Sequence, residues 1–127
     1  MENTKGIRPG NLLSYQNDNG EWFYGTVVKV RSTFVILEVE REEQEPIIKR
    51  ITTPEIMGVG LYEKILAKLG FKGSDQDGYS LDGVHIHRVE TNKGNSHLET
   101  PTQQRLDFVH QLQNLYIDTT GKSLQLP

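Results

Sequence analysis

The run His85-Ile86-His87-Arg88 comes nearest to chemistry in this sequence. Side chains two apart on a β-strand point the same way, so on a strand His85 and His87 stand side by side. Two imidazoles at that spacing suit a metal ion or a phosphate. A catalytic zinc site uses three protein ligands as a rule, so folding would have to bring up His97, Asp77 or Asp82. The plainer reading is a pair of surface histidines on a half-exposed strand, and no metal is expected. Two imidazoles can also cleave a phosphoester, one as acid and one as base. The two-histidine phosphoesterases carry two separated His-x-Thr or His-x-Ser motifs. Here the hydroxyl is missing and there is no second motif, which leaves a histidine-dependent phosphodiesterase as the weakest alternative.

Other catalytic classes find less support. The chain has no cysteine, which excludes thiolate catalysis, disulfides and cysteine-bound zinc. No serine lies in a Gly-x-Ser-x-Gly context. Gly58-Val59-Gly60-Leu61 lacks the third glycine of a dinucleotide fingerprint. The carboxylates Glu40, Glu42, Glu43 and Glu45 cluster in a charged hairpin tip, where nothing would raise their pKa. No catalytic residue and no cofactor are expected.

Binding is better supported. Trp22, Phe23 and Tyr24 are consecutive aromatics beside the turn Asn17-Asp18-Asn19-Gly20. On a strand one face of this run is core, and the other offers rings for stacking on a base or a peptide. Arg8, Lys29, Arg31, Lys49, Arg50 and Arg88 are candidate phosphate contacts. The expected ligand-binding set is Trp22, Tyr24, Arg31, His85, His87 and Arg88.

Composition bounds these readings. The 127 residues carry a net charge of -3, against the basic excess of proteins that track a nucleic-acid backbone, so bulk nucleic-acid binding is not expected. No apolar run approaches the length of a membrane span. The expected location is the cytoplasm.

The elements that would position these residues read as one α+β domain over residues 1–127, β-rich over 6–52 and helix-hairpin-helix over 53–127. Strands are expected at Asn11–Tyr15, Glu21–Val30, Thr33–Glu40 and Pro46–Thr52. Trp22, Tyr24, Thr26, Val28 and Val30 would share one face of the second, and the third would be buried on much of both faces. Short strands with tight turns suggest a small antiparallel sheet, in form an SH3-like barrel. Thr53-Pro54-Glu55 reads as a helix start, with the better helix at Leu61–Leu69, capped by Gly70 and followed by Phe71 packing back. Tyr79–Leu81 and Val84–Glu90 can pair through Asp82-Gly83, and Ser96–Glu99 can return beside them. Thr100-Pro101-Thr102-Gln103 reads as the start of a C-terminal amphipathic helix. Its apolar face would hold Leu106, Phe108, Val109, Leu112, Leu115 and Tyr116, and its polar face Asp107, His110, Gln111, Gln113 and Asn114. Gly121 would cap it, and Leu124 and Leu126 would dock the tail. In so short a chain such a face often completes its burial by homo-oligomerisation.

The run His110-Gln111-Leu112-Gln113-Asn114-Leu115-Tyr116, with Thr120-Gly121-Lys122 and Leu124 after it, resembles a group of uncharacterised short proteins of phages, prophages and Bacteroides-like bacteria. Arg8-Pro9-Gly10-Asn11-Leu12-Leu13 and Leu69-Gly70-Phe71 resemble the same group. The resemblance implies a counter-defence factor, regulator or accessory protein. One such class consists of oligomeric proteins that sequester nucleotide immune signals without cleaving them, using aromatics for the base and Arg, Lys or His for phosphates. The leading expectation is therefore a non-enzymatic binding protein with a small anionic nucleotide as ligand. The alternative is an SH3-like protein- or nucleic-acid-interaction module, which a continuous apolar or basic patch would favour over a closed pocket.

Overall fold

The computed structural model describes residues 4–41, 43–74, 76–91 and 94–125. They form two antiparallel sheets and a C-terminal helix, a small α+β fold that is mostly β. The chain divides after Val59 into two compact units, each with its own sheet. The first unit extends past Thr52, because residues 53–58 turn back and pair within it.

In the first unit, β1 (Leu12–Gln16), β2 (Trp22–Val30), β3 (Phe34–Arg41) and β4 (Gln44–Thr52) form an antiparallel meander, and β5 (Ile56–Gly58) returns beside β1. The strand order is β4-β3-β2-β1-β5, with β4 and β5 at open edges. Asn17 Oδ1 builds the β1–β2 turn by accepting the N–H groups of Asn19 (3.0 Å) and Glu21 (2.9 Å), and Gly20 takes φ 82°. Leu13, Tyr15, Val27, Val35, Leu37 and Ile56 form the core of the buried face.

Three expectations for this unit change. The β2–β3 register shifts between Val27 and Lys29. The inserted residue leaves Val28 exposed and turns Val30 inward opposite Val35, off the face of Trp22 and Tyr24. β3 is buried on one face only, through Val35, Leu37 and Val39, while Phe34 and Ile36 are half-buried. Thr53-Pro54-Glu55 makes one 3-10 turn and no α-helix, because Ile56 resumes an extended backbone and pairs with Tyr15. Of the expected hairpin tip, Glu42 lies outside the described residues; Glu43 takes φ 58°.

The second unit opens with α1 (Glu63–Lys68), shorter than the expected Leu61–Leu69. Gly70 (φ 97°) ends it: its N–H donates to Ala67 O and that of Phe71 to Leu66 O, which buries the Phe71 ring. β6 (Lys72–Ser74), β7 (Gly78–Leu81), β8 (Val84–Glu90), β9 (Ser96–Glu99) and β10 (Arg105–Leu106) form a second sheet in the order β10-β9-β8-β7-β6. The β7–β8 hairpin turns through Asp82 (φ 49°) and Gly83 (φ 86°).

Thr100 starts no helix. Its N–H donates to Gln104 O and its Oγ1 accepts the Gln104 N–H, closing the turn from β9 into β10. The helix begins later, as α2 (Val109–Thr120), and Gln111 Oε1 caps it by accepting the N–H groups of Asp107 and Phe108. Leu106 consequently packs from a strand. His110 and Gln113, expected on the polar face, are buried. The Gln113 amide donates to Leu124 O (2.9 Å), which holds the tail with Leu124 buried; Leu126 lies outside the described residues. Tyr116 Oη donates to the Asp82 carboxylate, tying α2 to the β7–β8 turn. Gly121 (φ 76°) ends the helix, its N–H donating to Ile117 O. Among the described residues no helix is long and apolar enough to cross a membrane.

Gly73 lies in β6 at φ 145°, where a Cβ would come within 1.9 Å of Gly78 O. Gly73→Ala therefore forces β6 off β7, and urea unfolding is expected to show a loss of about 1–3 kcal/mol. Gly60→Ala, with nothing within 4 Å of the added carbon, is the matched control and is expected to stay within about 0.5 kcal/mol of the parent.

Candidate functional site

The first unit presents its outward sheet face as a grid. Across the strands, Trp22 lies opposite Gln16, and Tyr24 lies opposite Ser14, which lies opposite Met57. In the next row Leu12, Thr26, Glu38 and Ile48 follow one another. Trp22 (52% exposed), Tyr24 (63%), Met57 (49%) and Ile48 (61%) are all open to solvent. Ser14 is buried between its taller neighbours, and its hydroxyl donates to Met57 O (3.1 Å). Tyr24 and Met57 thus flank a trough floored by serine, about 10 Å across by the spacing of two strand intervals. The inward side explains the orientation. Phe23 stacks on Tyr15 with centroids 5.7 Å apart, and Val27 lies opposite Leu37. Burial pushes the Tyr15 phenol above its ordinary pKa.

Arg31 stands apart from this face. It is exposed in the β2–β3 turn, where its guanidinium donates to Val30 O. Trp22 begins the nine-residue β2 and Arg31 follows its end, so roughly 30 Å of strand separates them. Arg50 stacks over the Phe34 ring at 4.1 Å, and Lys49 lies 5.9 Å from the Tyr15 ring. Met57 was missed in the sequence because it follows Thr53-Pro54-Glu55, which reads as a helix start; only pairing with β1 reveals it as part of a surface.

The histidines belong to the second unit. β8 sends Val84 and Ile86 into the core, leaving His85 exposed and His87 half-buried on the other face. His87 lies opposite Glu99, which lies opposite Arg105, and His97 Nε2 bonds Glu99 Oε2. This row of charged and imidazole groups includes no third ligand beside His85 and His87: among the described residues no group of three His, Asp or Glu side chains is placed to hold a metal. Arg88, next along the strand, lies opposite Leu98 on the face away from the histidines. It borders a groove with Tyr62, Tyr79 and Ser96, which β-strand alternation in the sequence does not connect to one another. The six expected binding residues therefore divide: Trp22 and Tyr24 share a face, Arg31 is remote from them on the same unit, His85 and His87 share a face of the other unit, and Arg88 lies on its reverse.

No family model, curated protein or solved structure matches the chain.

His110 is a further buried polar group. Its ring stacks on Phe108 with centroids 5.7 Å apart, and Nδ1 has no hydrogen-bond partner among the described residues. Burial lowers its pKa below the ordinary value by disfavouring the imidazolium. The unfolded chain then takes up this proton at higher pH than the folded one, so stability falls as pH drops through the ordinary histidine range toward the lowered folded value. Denaturation midpoints measured from pH 8 to pH 5 are expected to show that decline in the parent and a flatter profile in His110→Leu. An equal decline in both would assign it to other groups.

Proposed function

We propose that the protein is a non-catalytic binding protein whose first unit is an SH3-like module that docks a polypeptide on its outward sheet face. The strand order β4-β3-β2-β1-β5, with a 3-10 turn before the returning strand, supports the SH3-like description. The observation that carries the function is the exposed grid of Trp22, Tyr24, Met57 and Ile48. Exposed apolar patches are sites of association, and Trp, Tyr and Met are enriched in protein interfaces. The face carries Glu38 beside the cations Lys29 and Arg50, a mixed pattern, and Arg50 already stacks on Phe34. That charge pattern favours a polypeptide over a phosphate backbone, as does the net charge of -3. The trough between Tyr24 and Met57 suits apolar side chains of an extended segment. The resemblance to short phage and prophage proteins fits such a module acting as a counter-defence factor by occupying another protein.

The first choice in the sequence, one pocket built from Trp22, Tyr24, Arg31, His85, His87 and Arg88 around a nucleotide, has less support. Its members lie at opposite ends of β2 and on opposite faces of β8. For a phosphodiesterase centred on His85 and His87, no third metal ligand is in place among the described residues.

Trp22 is the single tryptophan, so its emission reports on this face alone. Random-peptide display against the intact chain is expected to enrich apolar peptides that blue-shift this emission. Their affinity should fall about tenfold or more in Tyr24→Ser and Met57→Ser, which keep the reporter and change only exposed side chains. Absence of enrichment, or peptides indifferent to both substitutions, would overturn the reading. A sedimentation mass that rises with concentration and reverts in the same variants would instead make a second copy the occupant.

A further inference from the structure

The groove beside Arg88 lies wholly in the second unit and is independent of the sheet face of the first. Its mouth is a cleft of about 520 Å³ bordered by Tyr62, Glu63, Lys64, Tyr79, Arg88 and Ser96. Tyr62, Glu63, Arg88 and Ser96 also border an inner recess of about 150 Å³, so cleft and recess are continuous. Leu61, Leu98 and Leu106 give the recess an apolar lining, while Asp107 and His97 add polar edges.

The groove changes character with depth. At the mouth two exposed cations, Lys64 and Arg88, face one carboxylate, Glu63, and two phenol rings stand beside them. That setting favours an anion carried on a sugar or ring that packs against tyrosine. Inside, the carboxylates Glu63 and Asp107 accompany the leucines, with Arg88 bordering both recess and mouth. One oxygen of Asp107 accepts from Arg105 (2.8 Å). Carboxylates at an apolar recess select a flat group that carries N–H donors on its edge. A cavity of this volume takes one ring of about benzene size, which admits one base and not two.

We propose that this groove binds a nucleoside monophosphate whose single-ring base bears an exocyclic amine, with the base in the recess and the phosphate at Lys64 and Arg88. The amine donates to Glu63 or Asp107, and the phenols of Tyr62 and Tyr79 flank the sugar. No bond is made or broken.

The test is calorimetric titration of the full chain with CMP, AMP, GMP, UMP, cytidine and inorganic phosphate. Saturable binding of CMP at one per chain is expected, with AMP, GMP, UMP and inorganic phosphate each weaker by about tenfold or more. Lys64→Ala should weaken the monophosphate about tenfold and leave the nucleoside unchanged, whereas Tyr62→Ala should weaken both. Lys64 and Tyr62 are exposed, so both variants are expected to keep the parent's unfolding midpoint. No saturation by CMP up to about 1 mM, AMP, GMP or UMP bound as tightly as CMP, or binding indifferent to both substitutions would each overturn the proposal. Tyr24→Ser should bind the monophosphate as the parent does, so failure here and failure of peptide docking are separate results.

Discussion

The register of β2 decides what the first unit shows to solvent. Phe23 stacks on Tyr15 and Val27 lies opposite Leu37, so up to the bulge Phe23, Gly25 and Val27 turn inward and Trp22 and Tyr24 turn out. Because side chains alternate, a slip of one residue would bury Trp22 and Tyr24 and expose Val27. The buried face resists that slip on both sides of β2, since β1 and β3 each contribute their own inward row. The inserted residue at Val28 then ends the exposed stripe by turning Val30 back to the core. The same alternation works against a single site in β8: with Val84 and Ile86 buried, His85 and His87 cannot share a face with Arg88.

Seven strands, β1–β4 and β7–β9, were legible from their residue pattern and flanking turns, whereas the short β5, β6 and β10 were not, and the Asp82-Gly83 turn and the Gly70 cap were legible because few residues tolerate positive φ. Helix starts were not. Thr53-Pro54 and Thr100-Pro101 carry the same local signal, and neither begins an α-helix. In each case the segment that follows wins by pairing, Ile56 with Tyr15 and Leu106 with Leu98. The real start of α2 has Phe108 at its cap and is satisfied from inside the helix by Gln111, a device without a hydroxyl to mark it.

The candidate surfaces were legible only within strands. Alternation placed Trp22 and Tyr24 on one face, but nothing local says that Met57 lies beyond Ser14 in the same row. Groups drawn from residue type alone joined Arg31 to Trp22, although a whole strand separates them. Tyr62, Lys64 and Tyr79 were missed for the converse reason. Each reads locally as an ordinary polar position of a helix or strand, and their common border depends on how elements far apart in sequence come together.

Both units are held by buried apolar side chains, and they differ in which buried group titrates. The core of the first is a cluster of aliphatic side chains around one tyrosine, whose proton is held more tightly on burial and stays on through neutral and acid pH. The second has its own apolar core, with Leu66, Ile86, Leu106 and Leu112 fully buried, and sets polar groups against it: Gln113 on the Leu124 carbonyl, Tyr116 on Asp82, and His110, whose Nδ1 has no partner among the described residues. A buried donor or acceptor lends stability only while its partner is present, and an unpaired imidazole favours its neutral form. Mild acid therefore acts first on the second unit, where protonating His110 would place a charge among Val109, Leu112 and their neighbours, and has no comparable target in the core of the first.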